Sequence, residues 1–179
     1  MLYSLRYSSP VGDLILVSDG GSLIGLWMEG QKYFGAGLGE IPGERGGDPA
    51  LEAARVWLDQ YFGGENPPTS QLALAPRGTP FQQKVWELLR EIPYGRLTTY
   101  GGLARRMAAG MGRTAMSAQA VGSAVGHNPI SIIIPCHRVV GTGGSLTGYA
   151  GGVEKKLALL RLEGADLTGI TVPAKGTAL

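Results

Sequence analysis

The apolar pattern of this chain changes period part-way along, and that change limits the fold more than any other feature. Up to Met28 the apolar residues form short or alternating runs, Met1–Tyr7, Leu14–Ser18 and Leu23–Met28, cut by turns at Pro10/Gly12/Asp13 and Asp19/Gly20/Gly21. Runs of this length between such turns predict a small antiparallel sheet. The Gly-rich stretch Gly30–Gly47 predicts a loop. Asp48-Pro49 then opens a helix through Tyr61, with Asp48 as N-cap and Leu51, Ala54, Leu58 and Tyr61 on the buried face. Gly63-Gly64 ends it, and Leu72–Leu74 is one more extended run. From Thr79 the period is helical: Thr79 is the N-cap, Pro80 the first position, and Phe81, Val85, Leu88 and Leu89 share a face as far as about Glu91. Beyond the break at Pro93-Tyr94-Gly95, Thr98 or Thr99 caps a short helix containing Leu103 and Met107. Gly110–Arg113 is a turn, Ser117 caps a helix over Ala118–Val125, and Val153–Leu162 is the last apolar-periodic helix. The expected class is α/β in two parts, residues 1–75 and residues 76–179.

The formal charge of +2 hides an asymmetry. Residues 1–75 carry 4 basic and 9 acidic side chains, whereas residues 76–179 carry 12 basic and 5 acidic. A basic half suits a polyanion, because Lys and Arg release counterions from phosphates; an ordinary solvated basic face is the other reading. The two short helices around Gly110–Arg113 likewise fit either a helix-turn-helix or a pair packed in a core. No apolar run approaches the ~20 residues of a membrane span, and the N-terminus has no secretory pattern, so a cytoplasmic protein is expected. One cysteine and two histidines cannot make an internal disulfide or a closed structural zinc site. Neither a metal nor a cofactor is expected.

That cysteine lies in Ile130–Val140, ISIIIPCHRVV, where Ile132–Ile134 reads as a buried β-branched strand that stops at Pro135. A strand end is a common place to display a reactive group. A thiol attacks carbon only as thiolate, and His137 and Arg138 are adjacent in sequence, although neighbours on extended chain point apart. Taken alone, Cys136 is either such a nucleophile or an inert packing residue.

Pro135-Cys136-His137-Arg138-Val139 resembles the active-site signature of the O6-alkylguanine-DNA alkyltransferases. Gly78-Thr79-Pro80-Phe81, Ile92-Pro93-Tyr94-Gly95, Thr99-Tyr100, Ala120-Val121-Gly122, Asn128-Pro129, Gly148–Gly152 and Leu162-Glu163-Gly164 resemble further blocks of that family, in its order. The resemblance is strong from Gly78 to Gly164 and covers the N-terminal sheet only in general form. It implies a ribonuclease H-like N-terminal domain followed by a mainly helical, winged-helix-like domain. It also implies the activity: irreversible, stoichiometric transfer of an alkyl group, such as methyl, from O6-alkylguanine in DNA to Cys136, with O4-alkylthymine as a further substrate.

By the same resemblance Cys136 is the acceptor, His137 takes its proton through a water, and Glu163 orients His137. Asn128 supports the active-site turn, and Tyr100 donates a proton toward guanine O6 or N3. The target base must leave the duplex to be reached. Tyr149, Ala150 and Gly151 resemble the pocket wall, with the carbonyls of Cys136 and Val139 accepting from the guanine amino group. Thr99, Ser117, Ala120, Gln119 and Arg113 are the expected contacts to double-stranded DNA, bound by a monomer. Two positions depart from the family pattern. Ala150 stands where some relatives carry serine. Gln119 stands where many carry the arginine that fills the gap left by the flipped base, and Arg113, in a turn a few residues longer than usual, is a second candidate for that task. Two other functions compete: a cysteine hydrolase working through an acyl intermediate, and an alkyltransferase-like lesion sensor that binds without transferring.

Overall fold

The computed structural model describes residues 1–173, in two compact units: Met1–Arg77 with Pro129–Ile133, and Gly78–Asn128 with the chain from Ile134 onward. The sequence reading runs the second part without interruption from residue 76, whereas here the five residues Pro129–Ile133 pack with the first unit.

The first unit is an antiparallel meander, β1 (Tyr3–Ser9), β2 (Gly12–Ser18) and β3 (Leu23–Met28), in spatial order β1-β2-β3. The first two strands reach the Pro10-Val11 turn from both sides, so each runs two residues further than its apolar pattern alone indicates. Every residue of β3 is buried, because it is flanked on one side by β2 and bridged to Leu74 and Ile130 elsewhere in the unit. Helix α1 (Pro49–Phe62) packs on β1 and β2. The Asp48 carboxylate accepts from the Leu51 N–H at 3.0 Å, and Trp57 joins Leu51, Ala54, Leu58 and Tyr61 on the buried face.

The second unit is mainly helical. Thr79 and Gln82 form a reciprocal capping box at the start of α2 (Pro80–Arg90), satisfying two otherwise orphaned N–H groups. Thr99 caps α3 (Tyr100–Gly110) and Ser117 caps α4 (Ala118–Gly126). The indole of Trp86 donates to the carbonyl of Ala124 at 2.8 Å, pinning α2 against α4, and α3 packs on both. Beyond a 3-10 turn at Cys136–Arg138, a two-residue parallel pair joins β4 (Thr98–Thr99) to β5 (Val139–Val140). Helix α5 (Val153–Leu162) follows.

One expected strand is absent. Ile130 makes a single bridge to Leu26, after which the chain turns through Ile132 at φ +71°. The Ile133 N–H bonds back to Ser131 at 2.8 Å. The run Ile132–Ile134 is therefore apolar because it is a buried turn, not because it lies in a sheet. A β-branched residue at that φ carries local strain of about 1–3 kcal/mol, which the surrounding packing must hold.

Candidate active site

Cys136 opens the 3-10 turn immediately after Pro135, with its N–H bonded to the Ile134 carbonyl at 2.8 Å. The thiol is buried, at 7% exposure. Asn128, which follows α4, donates from Nδ2 to the Ile134 carbonyl at 2.8 Å and hydrogen-bonds the Cys136 sulfur, so one amide fixes both the turn and the thiol. Burial pushes the thiol pKa up; the Asn128 hydrogen bond, the charge of Lys156 and the N–H groups of Cys136 and His137 oppose it.

The next residue, His137, is fully buried and its Nε2 lies 2.5 Å from Oε2 of Glu163. Glu163 caps the C-terminal end of α5, where the helix dipole disfavours a carboxylate. Three donors offset this: His137, Arg138 through Nε at 2.8 Å, and the Gly95 N–H at 3.1 Å. Burial alone would push the Glu163 carboxyl up, but the hydrogen bonds and charges of His137 and Arg138 hold it well below the usual carboxylate range. An ionised carboxylate can only accept, so Nε2 carries the imidazole proton and Nδ1 is left with a lone pair. That Nδ1 is buried and has no hydrogen-bond partner in the protein. Burial, with Arg138 and Lys156 adding to it, outweighs the pull of Glu163 and holds the imidazole below its ordinary pKa, hence neutral and able to take a proton.

Arg138, adjacent to the thiol in sequence, serves the carboxylate instead. Its Nη1 donates to the Ile92 carbonyl at 2.6 Å, and its guanidinium lies 5.7 Å from the centre of the Tyr94 ring. The Ile92–Gly95 block thus supplies a carbonyl, an aromatic face and an N–H to one buried ion pair. A Cβ on Gly95, at φ +74°, would come within 3.0 Å of the Glu163 carbonyl.

On the other side, Tyr100 donates from its hydroxyl to the carbonyls of Thr147 and Gly148, at 3.1 and 3.3 Å. Tyr149 is buried with no protein partner for its hydroxyl. Burial first, and then Cys136, keeps both phenols protonated. The Val139 carbonyl accepts from Lys156, a contact absent from the sequence reading, while Ala150 and Gly151 are half-buried.

These residues set a buried thiol in the same turn as a neutral imidazole that is hydrogen-bonded to an ionised carboxylate. Two family models match the chain: the 6-O-methylguanine DNA methyltransferase ribonuclease-like domain over residues 1–76, and the DNA binding domain of the same enzymes over residues 80–165. The chain belongs to the 6-O-methylguanine DNA methyltransferase family. The methylated-DNA–protein-cysteine methyltransferase of Haemophilus influenzae is 44% identical over 162 residues, covering 90% of this chain and 86% of that protein. The enzyme of the same name from Mycobacterium bovis is 43% identical over 94% of this chain and 98% of its own length. The crystal structure of Mycobacterium tuberculosis OGT in complex with DNA matches with a TM-score of 0.75 at 41% identity, covering 90% of this chain and 91% of that one.

In this methyltransferase-family chain the structure pairs His137 with Glu163, ties Asn128 to the turn that carries Cys136, and ties Tyr100 to the loop before α5. The expected DNA contacts lie at the N-cap of α3, on α4 and in the turn between the two helices. Arg113, Ser117, Gln119 and Ala120 are exposed, while the Thr99 hydroxyl is engaged with the Gly102 N–H at 2.9 Å. A groove of about 500 Å³ runs beside them, lined by Ala104, Arg105, Arg113, Met116 and Ala118 among others. The residue missed by sequence reasoning is Lys156. Its signal was its place three and four residues before Leu159 and Leu160, on the buried stripe of α5 that ends at Glu163.

Proposed function

We propose that the chain repairs duplex DNA by moving the alkyl group of O6-alkylguanine onto Cys136, once per molecule. The observation that carries this reading is the buried, unpartnered Nδ1 of a neutral His137 whose other nitrogen is held by ionised Glu163, next to a thiol gripped by Asn128. The thiol proton passes to His137 Nδ1 through one water. The thiolate forms a bond to the alkyl carbon as the carbon–O6 bond breaks, and the electron pair leaves on guanine. Tyr100 donates a hydrogen bond toward O6 or N3 as that charge arrives, and the proton held by the imidazolium restores neutrality. The product thioether has no easy reverse path, so each molecule acts once.

In this reading residues 76–179 bind DNA and hold the site, residues 1–75 support it, and the protein works as a cytoplasmic monomer without metal or cofactor. Among the described residues no helix is long and apolar enough to cross a membrane. Tyr149, Ala150, Gly151 and the Val139 carbonyl form the base pocket, and O4-alkylthymine is a second substrate. Ser117, Gln119 and Ala120 on α4, with Thr99 and Arg113, meet the duplex, and Gln119 or Arg113 fills the gap left by the flipped base. The test is to incubate the protein with DNA carrying labelled O6-methylguanine and to weigh it. One added methyl per molecule, lost in Cys136→Ala, is expected. Tight binding with unchanged mass would instead mark a lesion sensor, and repeated turnover a hydrolase.

A further inference from the structure

We propose that Lys156 is a positioning residue of the transfer site, whose buried ammonium ties together two chain segments that follow Cys136 and supplies the uncompensated positive charge that favours the thiolate. This rests on Cys136 being the acceptor.

Lys156 is among the largest fully buried side chains, at 0% exposure. Its Nζ donates to the carbonyl of Val139, in the strand that leaves the cysteine turn, and to the carbonyl of Thr147, at 3.1 Å, in the loop before Tyr149. The Val139 N–H in turn bonds to the Cys136 carbonyl, so the clamped residue closes the turn that carries the nucleophile. The Thr147 carbonyl also accepts from Tyr100, over whose ring the ammonium sits at 5.9 Å. One side chain on α5 thus joins β5, the loop before Tyr149 and Tyr100 of α3.

Two backbone carbonyls are weak compensation for a buried cation. Among the described residues Lys156 forms no ion pair, and the carboxylate that ends its helix, Glu163, is held by His137 and Arg138. Apolar packing in its place would remove a large desolvation cost. The charges around Cys136 and its base explain what that cost sustains. His137 is neutral, Arg138 and Glu163 offset one another on the same turn and at the end of α5, and Tyr100 and Tyr149 are protonated. Lys156 is the net charge that remains. Burial lowers its pKa to about 8 and Cys136 opposes the fall, which leaves it mostly protonated at neutral pH.

The experiment follows iodoacetamide alkylation of the single cysteine against pH in the wild type, Lys156→Met and Lys156→Arg. Mass spectrometry gives the rate, and circular dichroism confirms folding. The reaction needs no DNA, so it reads Lys156 independently of repair. Lys156→Met should lower the rate roughly tenfold at neutral pH, where Lys156 is charged, a gap that closes above about pH 8 as Lys156 itself discharges, with partial rescue in Lys156→Arg. A clamp that is merely structural would slow transfer from O6-methylguanine DNA but keep the alkylation rates of wild type and variant in one ratio at every pH, and a folded Lys156→Met with such a constant ratio overturns the proposal. Should Lys156→Met not fold, the Lys156 titration is followed by NMR of 13C-labelled lysine in the wild type and in Cys136→Ser. A lower Lys156 pKa in Cys136→Ser supports the coupling, and equal values overturn it. Failure of wild-type protein to accept methyl from DNA would instead sink the acceptor role.

Discussion

His137 Nε2 lies 2.5 Å from Glu163 Oε2, and both side chains have no exposure to solvent. This contact decides which imidazole nitrogen can accept a proton, because the carboxylate claims the proton on Nε2 and leaves a lone pair on Nδ1. It also binds the function of the site to its stability, since the same carboxylate neutralises Arg138.

Glu163→Gln keeps the shape but removes the charge. Arg138 is then a buried cation without a counter-charge, and the glutamine can present an N–H to His137 that favours the wrong tautomer. The variant should lose about 3 kcal/mol of stability, measured by urea unfolding. Its single-turnover transfer rate should fall by about a hundredfold, the lower range for loss of a positioned base. A stable variant reacting at the wild-type rate would show that Glu163 orients nothing.

Acidification should destabilise the fold in two stages. The His137 pKa is lowered by burial from an ordinary 6.5, so below that pH the unfolded chain binds a proton that the native state refuses. Stability falls as the pH drops through that window. The Glu163 pKa is also depressed, from an ordinary 4.5, so the stability it contributes is fully present above 4.5 and is lost as the pH falls further toward its folded-state value. Urea midpoints at pH 7, 5.5 and 4 should decline steadily. In Glu163→Gln the second stage should shrink, and an undiminished decline below pH 4.5 in that variant would assign it to other carboxylates.

Much of this arrangement was legible because local rules fix it. Asp48-Pro49, Thr79-Pro80, Thr99 and Ser117 are cap signals whose hydrogen bonds need only neighbouring residues, and each starts its helix at the position the sequence indicates. Glu163 was legible through the Leu162-Glu163-Gly164 block at the end of an apolar-periodic helix. The Ile132–Ile134 turn was not, since β-branched composition reports burial and cannot report a left-handed φ imposed by packing. Trp86 was overlooked on α2 because its anchor, the Ala124 carbonyl, lies 38 residues away. Lys156 was passed over because its carbonyl partners lie 9 and 17 residues away in sequence, on backbone that carries no side-chain signal.

Asn128 should matter to both turn and thiol. Asn128→Ala takes one of two donors from the buried Ile134 carbonyl, leaving only the Cys136 N–H, and removes the hydrogen bond to Cys136. A stability loss of about 1–3 kcal/mol is expected, together with an alkaline shift of the Cys136 alkylation profile. Asn128→Asp should shift the profile further, because it places a negative charge beside the thiolate. If the Asp variant reacts at or below the wild-type pH midpoint, the amide is not a donor to sulfur.

Arg113 and Gln119 are the two candidates for filling the gap in an opened duplex. Gln119 is exposed near the start of α4, the helix whose small residues allow close approach, but it is too short and uncharged to make a guanidinium's contacts. Arg113 is exposed in the preceding turn and lines the same groove as Ala118. If Arg113 fills the gap left by the flipped base, Arg113→Ala should slow repair of duplex substrate by about tenfold while leaving repair of single-stranded substrate unchanged, because only the duplex must be unstacked. Gln119→Arg in that background should restore the duplex rate. A loss that is equal on both substrates, with a shallower dependence of binding on salt, would reduce Arg113 to a phosphate contact. Gln119 would then be the residue that holds the gap, and Gln119→Ala should show the duplex-specific defect in its place.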